Sequence, residues 1–146
     1  MKKLNIKYSK NNSNYIDILN HLQRSNHLFK PVLSSYINLD EYSLKLYERS
    51  TRFEIFNDTY LIGLLAIYNR FNECFISNFS LEESFIGHGL SNHLMLNFLE
   101  DSKIKKVKSI SLEVFKINQR AVNFYNKHGF KIDQENNEKY TLVKIL

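Results

Sequence analysis

The stretch Phe79-Ser80-Leu81-Glu82-Glu83-Ser84-Phe85-Ile86-Gly87-His88-Gly89-Leu90-Ser91-Asn92-His93-Leu94-Met95 decides the reading of this chain. It opens on the alternation Phe79, Leu81, the period of a half-buried strand. It continues into Leu90, Leu94, Met95, Phe98 and Leu99, the spacing of a helix with one apolar face. Two of the chain's four glycines, Gly87 and Gly89, lie between. Glycine admits positive φ and lets a ligand approach the backbone closely. A strand that passes through Gly-x-Gly into a helix therefore presents unpaired N–H groups at the positive end of the helix dipole, which makes a seat for an anion. The expectation is a phosphate-binding turn. Asn92 stands where a dinucleotide fingerprint needs its third glycine, and no Gly-Lys-Ser/Thr run of a P-loop exists.

Working downstream, Lys108 to Phe115 alternates Ile110, Leu112 and Val114 as a strand, followed by Asn118-Gln119-Arg120-Ala121-Val122-Asn123-Phe124-Tyr125-Asn126-Lys127-His128-Gly129-Phe130. These two pieces together resemble the acetyl-CoA site of the GNAT acetyltransferase superfamily. The first family motif is Gln/Arg-x-x-Gly-x-Gly/Ala at the start of the central helix, and Gly89 falls on its essential glycine. Asn118, Ala121, Tyr125, Gly129 and Phe130 fall on the second motif. Ile86 replaces the usual Gln/Arg and Ser91 the second small residue. The resemblance is good over roughly residues 51 to 135.

Upstream, Leu4, Ile6 and Tyr8 alternate as a first strand. Ser13 or Asn14 caps a helix carrying Tyr15, Ile18, Leu19 and Leu22 on one face. Asp40 is the expected cap of a second helix through Arg49, with Tyr42, Leu46 and Tyr47 inward. Strands follow at Thr51–Ile55, at Tyr60–Tyr68 (an almost unbroken apolar run suited to a doubly covered strand) and at Cys74–Leu81. After the central helix, from about Gly89 to Lys103, come the strand 108–115, a helix 119–128 and a closing hairpin, Lys131–Gln134 with Lys139–Ile145. The expected class is α/β with a mixed sheet, in the order β-α-α-β-β-β-α-β-α-β-β. The GNAT resemblance implies helices on both faces of a central, partly splayed sheet.

At 146 residues, 43% apolar and 14% aromatic, residues 1–146 are expected to form one globular domain. One cysteine, Cys74, excludes an internal disulfide, and the five histidines show no metal-ligand spacing, so no metal is expected. No apolar run approaches a membrane span, and Met1-Lys2-Lys3 leads into polar sequence, so a cytoplasmic protein with no membrane partner is expected. The net charge of +5 suits a polyanionic ligand. No nucleic-acid reading motif accompanies it, and no nucleic-acid partner is expected. The Lys103, Lys105, Lys106, Lys108 cluster reads as a solvated helix end.

The resemblance implies an acyl-CoA-dependent N-acyltransferase moving an acetyl group from acetyl-CoA to a primary amine by direct attack. The cofactor-binding residues it implies are Phe79, Leu81, Gly87, His88, Gly89, Leu90, Ser91, Asn92, Asn118 and Tyr125. Pantetheine would pair with the backbone near Leu81, and the pyrophosphate would meet the turn. On sequence alone Asn118 is equally a helix cap. Tyr125, in the i, i+3, i+4, i+7 pattern Ala121, Phe124, Tyr125, His128, is by default a core aromatic on sequence alone. In many family members the Tyr at this position protonates the departing CoA sulfur.

Amine deprotonation at neutral pH costs about 4–5 kcal/mol for a lysine-like group, and a carboxylate is the usual base. Counted back from the turn, Glu73 matches the basic glutamate of some relatives, with Glu54 and Asp58 as runners-up. The acceptor, a small-molecule or peptide amine, would dock near Phe29, Tyr36, Tyr42 and Phe71. Such a chain would act as a monomer or homodimer. The competing class is a non-catalytic acyl-CoA sensor, which would keep the turn and Asn118 but lack a working base.

Overall fold

The computed structural model describes residues 4–146. Strands β1 (Ile6–Lys10), β2 (Thr51–Asn57), β3 (Tyr60–Arg70), β4 (Glu73–Leu81), β5 (Ser109–Phe115), β6 (Lys131–Glu135) and β7 (Lys139–Ile145) form one sheet in the order β1-β2-β3-β4-β5-β7-β6. Helices α1 (Tyr15–Ser25) and α2 (Leu39–Arg49) cover one face, and α3 (Leu90–Ile104) and α4 (Gln119–Lys127) the other. The element order is the expected one. Every pairing is antiparallel except β4 with β5, which the crossover helix α3 joins in parallel.

Two apolar layers follow from the two covered faces. Ile18, Leu22, Leu33, Leu46, Leu61, Leu64 and Ala66 fill the space beneath α1 and α2. The larger layer, with Phe53, Leu65, Ile76, Met95, Phe98, Leu112, Val122 and Phe130, lies beneath α3 and α4. A fully buried leucine such as Leu22 or Leu46 contributes about 2 kcal/mol of transfer free energy. β3 contributes to both layers, as its continuous apolar run demands.

Local differences from the sequence reading have local causes. β1 sits two residues later than expected, where Ile6 to Lys10 pair with Asn57 to Phe53. Asn14 caps α1 in a reciprocal box with Asp17. The cap of α2 is Asn38, whose Oδ1 accepts from Glu41 N at 3.0 Å, and Asp40 instead occupies the first turn. Tyr47 is exposed, with the Arg52 guanidinium 5.6 Å from its ring centre, and Arg52 turns inward to donate to the carbonyls that end α2. Among the described residues no helix is long and apolar enough to cross a membrane.

Two irregularities of β4 position the site. A bulge at Ser77 shifts the register with β3, so that Ile76 opposes Ile67 while Asn78 opposes Ala66. At the same point β4 and β5 part company: their pairing runs from Glu73 with Ser109 only as far as Ile76 with Leu112. Beyond it Ser77–Leu81 and Glu113–Phe115 diverge, and a cleft opens between them.

Candidate active site

The cleft holds about 560 Å³ and is lined by the diverging ends of β4 and β5, the turn before α3, the first turns of α4 and the segment between α1 and α2. That volume lies within the range of small-molecule sites. Gly87 and Gly89 both take positive φ, 92° and 74°, and an added Cβ at either would meet, beyond its chain neighbours, no atom of the described residues within 4 Å. Gly89 is the N-cap of α3 with no side-chain cap, and the N–H groups of Leu90, Ser91 and Asn92 donate to no protein group among the described residues. Free donors, an open approach and a helix dipole therefore meet at one wall of the cleft. Arg120 and Lys127 on α4 line the same cavity and add positive charge.

On the flanks, the strand edges that face the gap lack partners past Ile76 and Leu112 among the described residues. Such edges accept an extended ligand by backbone hydrogen bonds. Tyr125 reaches the cleft from α4, packed between Phe79, Phe124 and Phe130 with ring centres 5.6–6.3 Å away. Burial, reinforced by the nearby Tyr42 phenol, raises its pKa well above the ordinary tyrosine value, so the hydroxyl stays protonated at neutral pH. It makes no hydrogen bond within the protein among the described residues. Tyr42, from α2, bonds Ser77 at the bulge (Oη to O 3.0 Å, Oη to Oγ 2.7 Å), and burial raises its pKa likewise.

The model of the acetyltransferase (GNAT) family matches residues 16–130. This chain belongs to the GNAT family. A search of curated proteins finds no match. Among solved structures, PaiA N-acetyltransferase from Thermoplasma acidophilum in complex with coenzyme A is 16% identical, with a TM-score of 0.77 over 98% of this chain and 100% of that one. The ribosomal-protein-S18-alanine N-acetyltransferase from Escherichia coli is 15% identical, with a TM-score of 0.75 over 95% and 91%. An acetyltransferase from Thermus thermophilus is 18% identical, with a TM-score of 0.74 over the whole of both chains. At these identities the likeness is one of fold, and it extends over the whole GNAT chain.

In this GNAT acetyltransferase, Phe79, Leu81, Gly87, Gly89, Leu90, Ser91, Asn92, Asn118 and Tyr125 all line one cleft. His88 is exposed and does not. Asn118 both lines the cleft and caps α4, its Oδ1 accepting from Ala121 N at 3.3 Å. Asn92 Oδ1 lies 2.9 Å from His128 Nε2, which ties α3 to α4 beside the turn.

The carboxylates expected from sequence are not brought to the cleft. Glu73 begins β4, roughly 26 Å of strand from Leu81, where β4 is still paired to Ser109, and it lines a separate depression with Lys45, Arg49 and Arg70. Glu54 is fully buried beneath β1, accepting from Ser9 Oγ, Asn12 N and Ser13 N at 2.8–2.9 Å. Asp58 sits in the β2–β3 turn, bonded to Asn5 Nδ2. The carboxylate that does line the cleft is Glu113 on β5, exposed and 3.5 Å from Lys139. Its place on the alternating strand 108–115, opposite the apolar residues, could have marked it. Of the acceptor-side aromatics, Phe29, Tyr36 and Tyr42 line the cleft, with Tyr36 edge-on to Phe115 at 5.1 Å. Phe71 stands fully exposed in the β3–β4 turn, outside the cleft.

Proposed function

We propose that this GNAT enzyme moves an acyl group, acetyl in the first instance, from acyl-CoA to a primary amine by direct attack, with residues 1–146 acting as one domain. The observation that carries this reading is the convergence, in one cleft, of the uncapped start of α3, the unpaired edges of β4 and β5, and the free hydroxyl of Tyr125. The pyrophosphate meets the N–H groups of Gly89 to Asn92, with Arg120 and Lys127 beside it. Pantetheine takes the place between β4 and β5 and brings the thioester beside Tyr125. The T. acidophilum relative binds coenzyme A, which fits this assignment.

Tyr125 serves the departing sulfur. Full proton transfer from a buried phenol to a thiolate runs uphill, so its contribution is a hydrogen bond that strengthens as negative charge gathers on sulfur. The amine enters from the side of α1 and α2, past Phe29 and Tyr36, and Glu113 attracts it while it is still an ammonium ion. The aromatic entry fits an acceptor with an apolar portion.

A thermal-shift series of acyl-CoAs, followed by an amine series with thiol-release detection, tests the reading. Stabilisation by acetyl-CoA together with thiol release is the expected result. Stabilisation without release from any amine would make the chain a sensor, and no stabilisation at all would overturn the assignment.

A further inference from the structure

A buried string of polar side chains runs up to the cleft from the α1 side. His21 on α1 is fully enclosed, with Nδ1 3.1 Å from Glu82 Oε2 and Nε2 2.7 Å from Ser80 Oγ. Ser80 Oγ lies 2.8 Å from Asn78 Oδ1, and both residues line the cleft. Arg24 closes the other end, with Nε 2.7 Å from Glu82 Oε1 and Nη2 3.1 Å from the Leu61 carbonyl of β3. The layer around the string is made of Ile18, Leu22, Leu61 and Leu64. Burying so many polar groups among them is tolerable only because each is paired.

The hydrogen positions follow from chemistry. Burial works to raise the pKa of Glu82, but the hydrogen bonds from His21 and Arg24 outweigh it, so the carboxylate is ionised and only accepts. The His21 Nδ1 therefore carries a hydrogen. Burial, aided by the Arg24 charge, keeps the ring neutral against the pull of Glu82 and the Leu61 carbonyl. A neutral ring with hydrogen on Nδ1 has its lone pair on Nε2, and the Ser80 hydroxyl donates to it. This requires the Asn78 amide to present its nitrogen to Ser80 Oγ, the reverse of the orientation in which the Ser80 hydroxyl donates to Asn78 Oδ1. Glu82 and Arg24 are the charged groups that face His21.

We infer that Ser80, His21 and Glu82 form the proton relay that deprotonates the acceptor amine. The inference rests on the acyltransferase reading above. The ammonium form of the acceptor first gives one proton to solvent. As the free amine nitrogen then bonds to the thioester carbon, a second proton passes to Ser80 Oγ while the hydroxyl proton passes to His21 Nε2. The C–N bond forms, the C–S bond breaks, and the thiolate leaves with a hydrogen bond from Tyr125 and takes its proton from solvent. The imidazolium, held against Glu82, returns its proton through Ser80 to solvent when the product has gone. A neutral imidazole is base enough here, because an amine nitrogen that has added to a carbonyl is far more acidic than a free ammonium ion. The order hydroxyl, imidazole, carboxylate is that of a nucleophilic triad. In this cleft the amine is the better nucleophile, and the hydroxyl carries a proton.

The test uses Ser80→Ala, Ser80→Thr and His21→Gln with acetyl-CoA and phenethylamine, spermidine or an alanine-terminated peptide, whichever the wild type acetylates. Ser80→Ala should lower kcat at pH 7 by roughly 100-fold, leave KM for acetyl-CoA within a few-fold, and keep that deficit relative to the wild type as pH approaches the pKa of the amine, because the free-amine fraction rises equally for both. Ser80→Thr keeps a hydroxyl and should retain most of the rate. His21→Gln should resemble Ser80→Ala, and the double variant should lose little more. Wild-type kcat and pH profile in a folded Ser80→Ala protein would overturn the relay and leave the acyltransferase standing. No thiol release by the wild type with any of the three amines would overturn both. Independently of any acceptor, ¹⁵N NMR should find His21 neutral with hydrogen on Nδ1 at pH 7, and a doubly protonated ring would overturn the relay.

Discussion

Ile76 and Phe79 stand three residues apart on β4 yet face the same side of the sheet, both against the layer beneath α3 and α4. The bulge at Ser77 makes this so, and it reverses the parity of everything that follows. Phe79 and Leu81 join the apolar layer, while Asn78 and Ser80 turn to the α1 side. One extra residue thus gives the cleft an apolar wall and a polar wall from a single strand.

Substitution at Gly89 probes the turn. Its φ of 74° makes any side chain strained, and beyond its chain neighbours the space around an added Cβ is free of atoms of the described residues. Gly89→Ala should lower stability by about 1 kcal/mol and weaken acetyl-CoA binding, and Gly89→Val should abolish the acetyl-CoA thermal shift. A folded Gly89→Val protein that keeps the wild-type shift would remove the phosphate seat.

Replacing Tyr125 by Phe keeps the ring contacts with Phe79, Phe124 and Phe130. A thiol is already a fair leaving group, so turnover should fall only by roughly 10- to 100-fold, with acetyl-CoA affinity within a few-fold and Tm little changed. Unchanged turnover in steady-state assays would make Tyr125 a packing residue alone.

The two strand glutamates should separate in kinetics. Glu73, at the closed end of the β4–β5 pair, is expected to tolerate Gln with kcat and both KM values within about two-fold. Glu113→Gln should raise KM for a cationic amine several-fold and leave kcat nearly unchanged. A large kcat loss in Glu73→Gln would return the base to the position that counting along the sequence indicates.

Acid should weaken the fold through the His21 string. Burial depresses the His21 pKa, so below about pH 6.5 the unfolded chain binds a proton that the folded chain refuses, and stability falls as pH falls. Glu82, whose hydrogen bonds from His21 and Arg24 outweigh burial, adds a second loss of the same sign below the ordinary glutamate range. The wild-type Tm should drop by a few degrees from pH 7 to pH 5, and His21→Gln should flatten the upper part of that slope. A flat wild-type profile between pH 7 and pH 5.5 would contradict this account.

What could be read in advance was what depends on neighbours in sequence. Gly87 and Gly89 announce a turn because positive φ demands glycine, and the spacing of Leu90, Leu94 and Phe98 announces the helix after it. The bulge left no mark, since Ser77 is an ordinary strand residue. Counting back to Glu73 located a position on β4 but not the point at which β4 leaves β5, and only past that point is a side chain near the cleft. The His21 string was silent for a related reason: Ser80 and Glu82 lie 59 and 61 residues away from His21 along the chain. In sequence His21 is merely one more polar residue of a surface helix.

The short β4–β5 pairing has a mechanical meaning as well. Four pairs of residues, Glu73–Ile76 with Ser109–Leu112, are the only strand pairing among the described residues that joins β1–β4 to β5–β7. The sheet is therefore two leaves on a short spine, held further by the helices that straddle them. A ligand that bonds both edges of the gap acts as a missing rung and turns the leaves into one rigid plate. Occupancy of the cleft should then slow amide exchange on both sides of the spine, in strands that never touch the ligand.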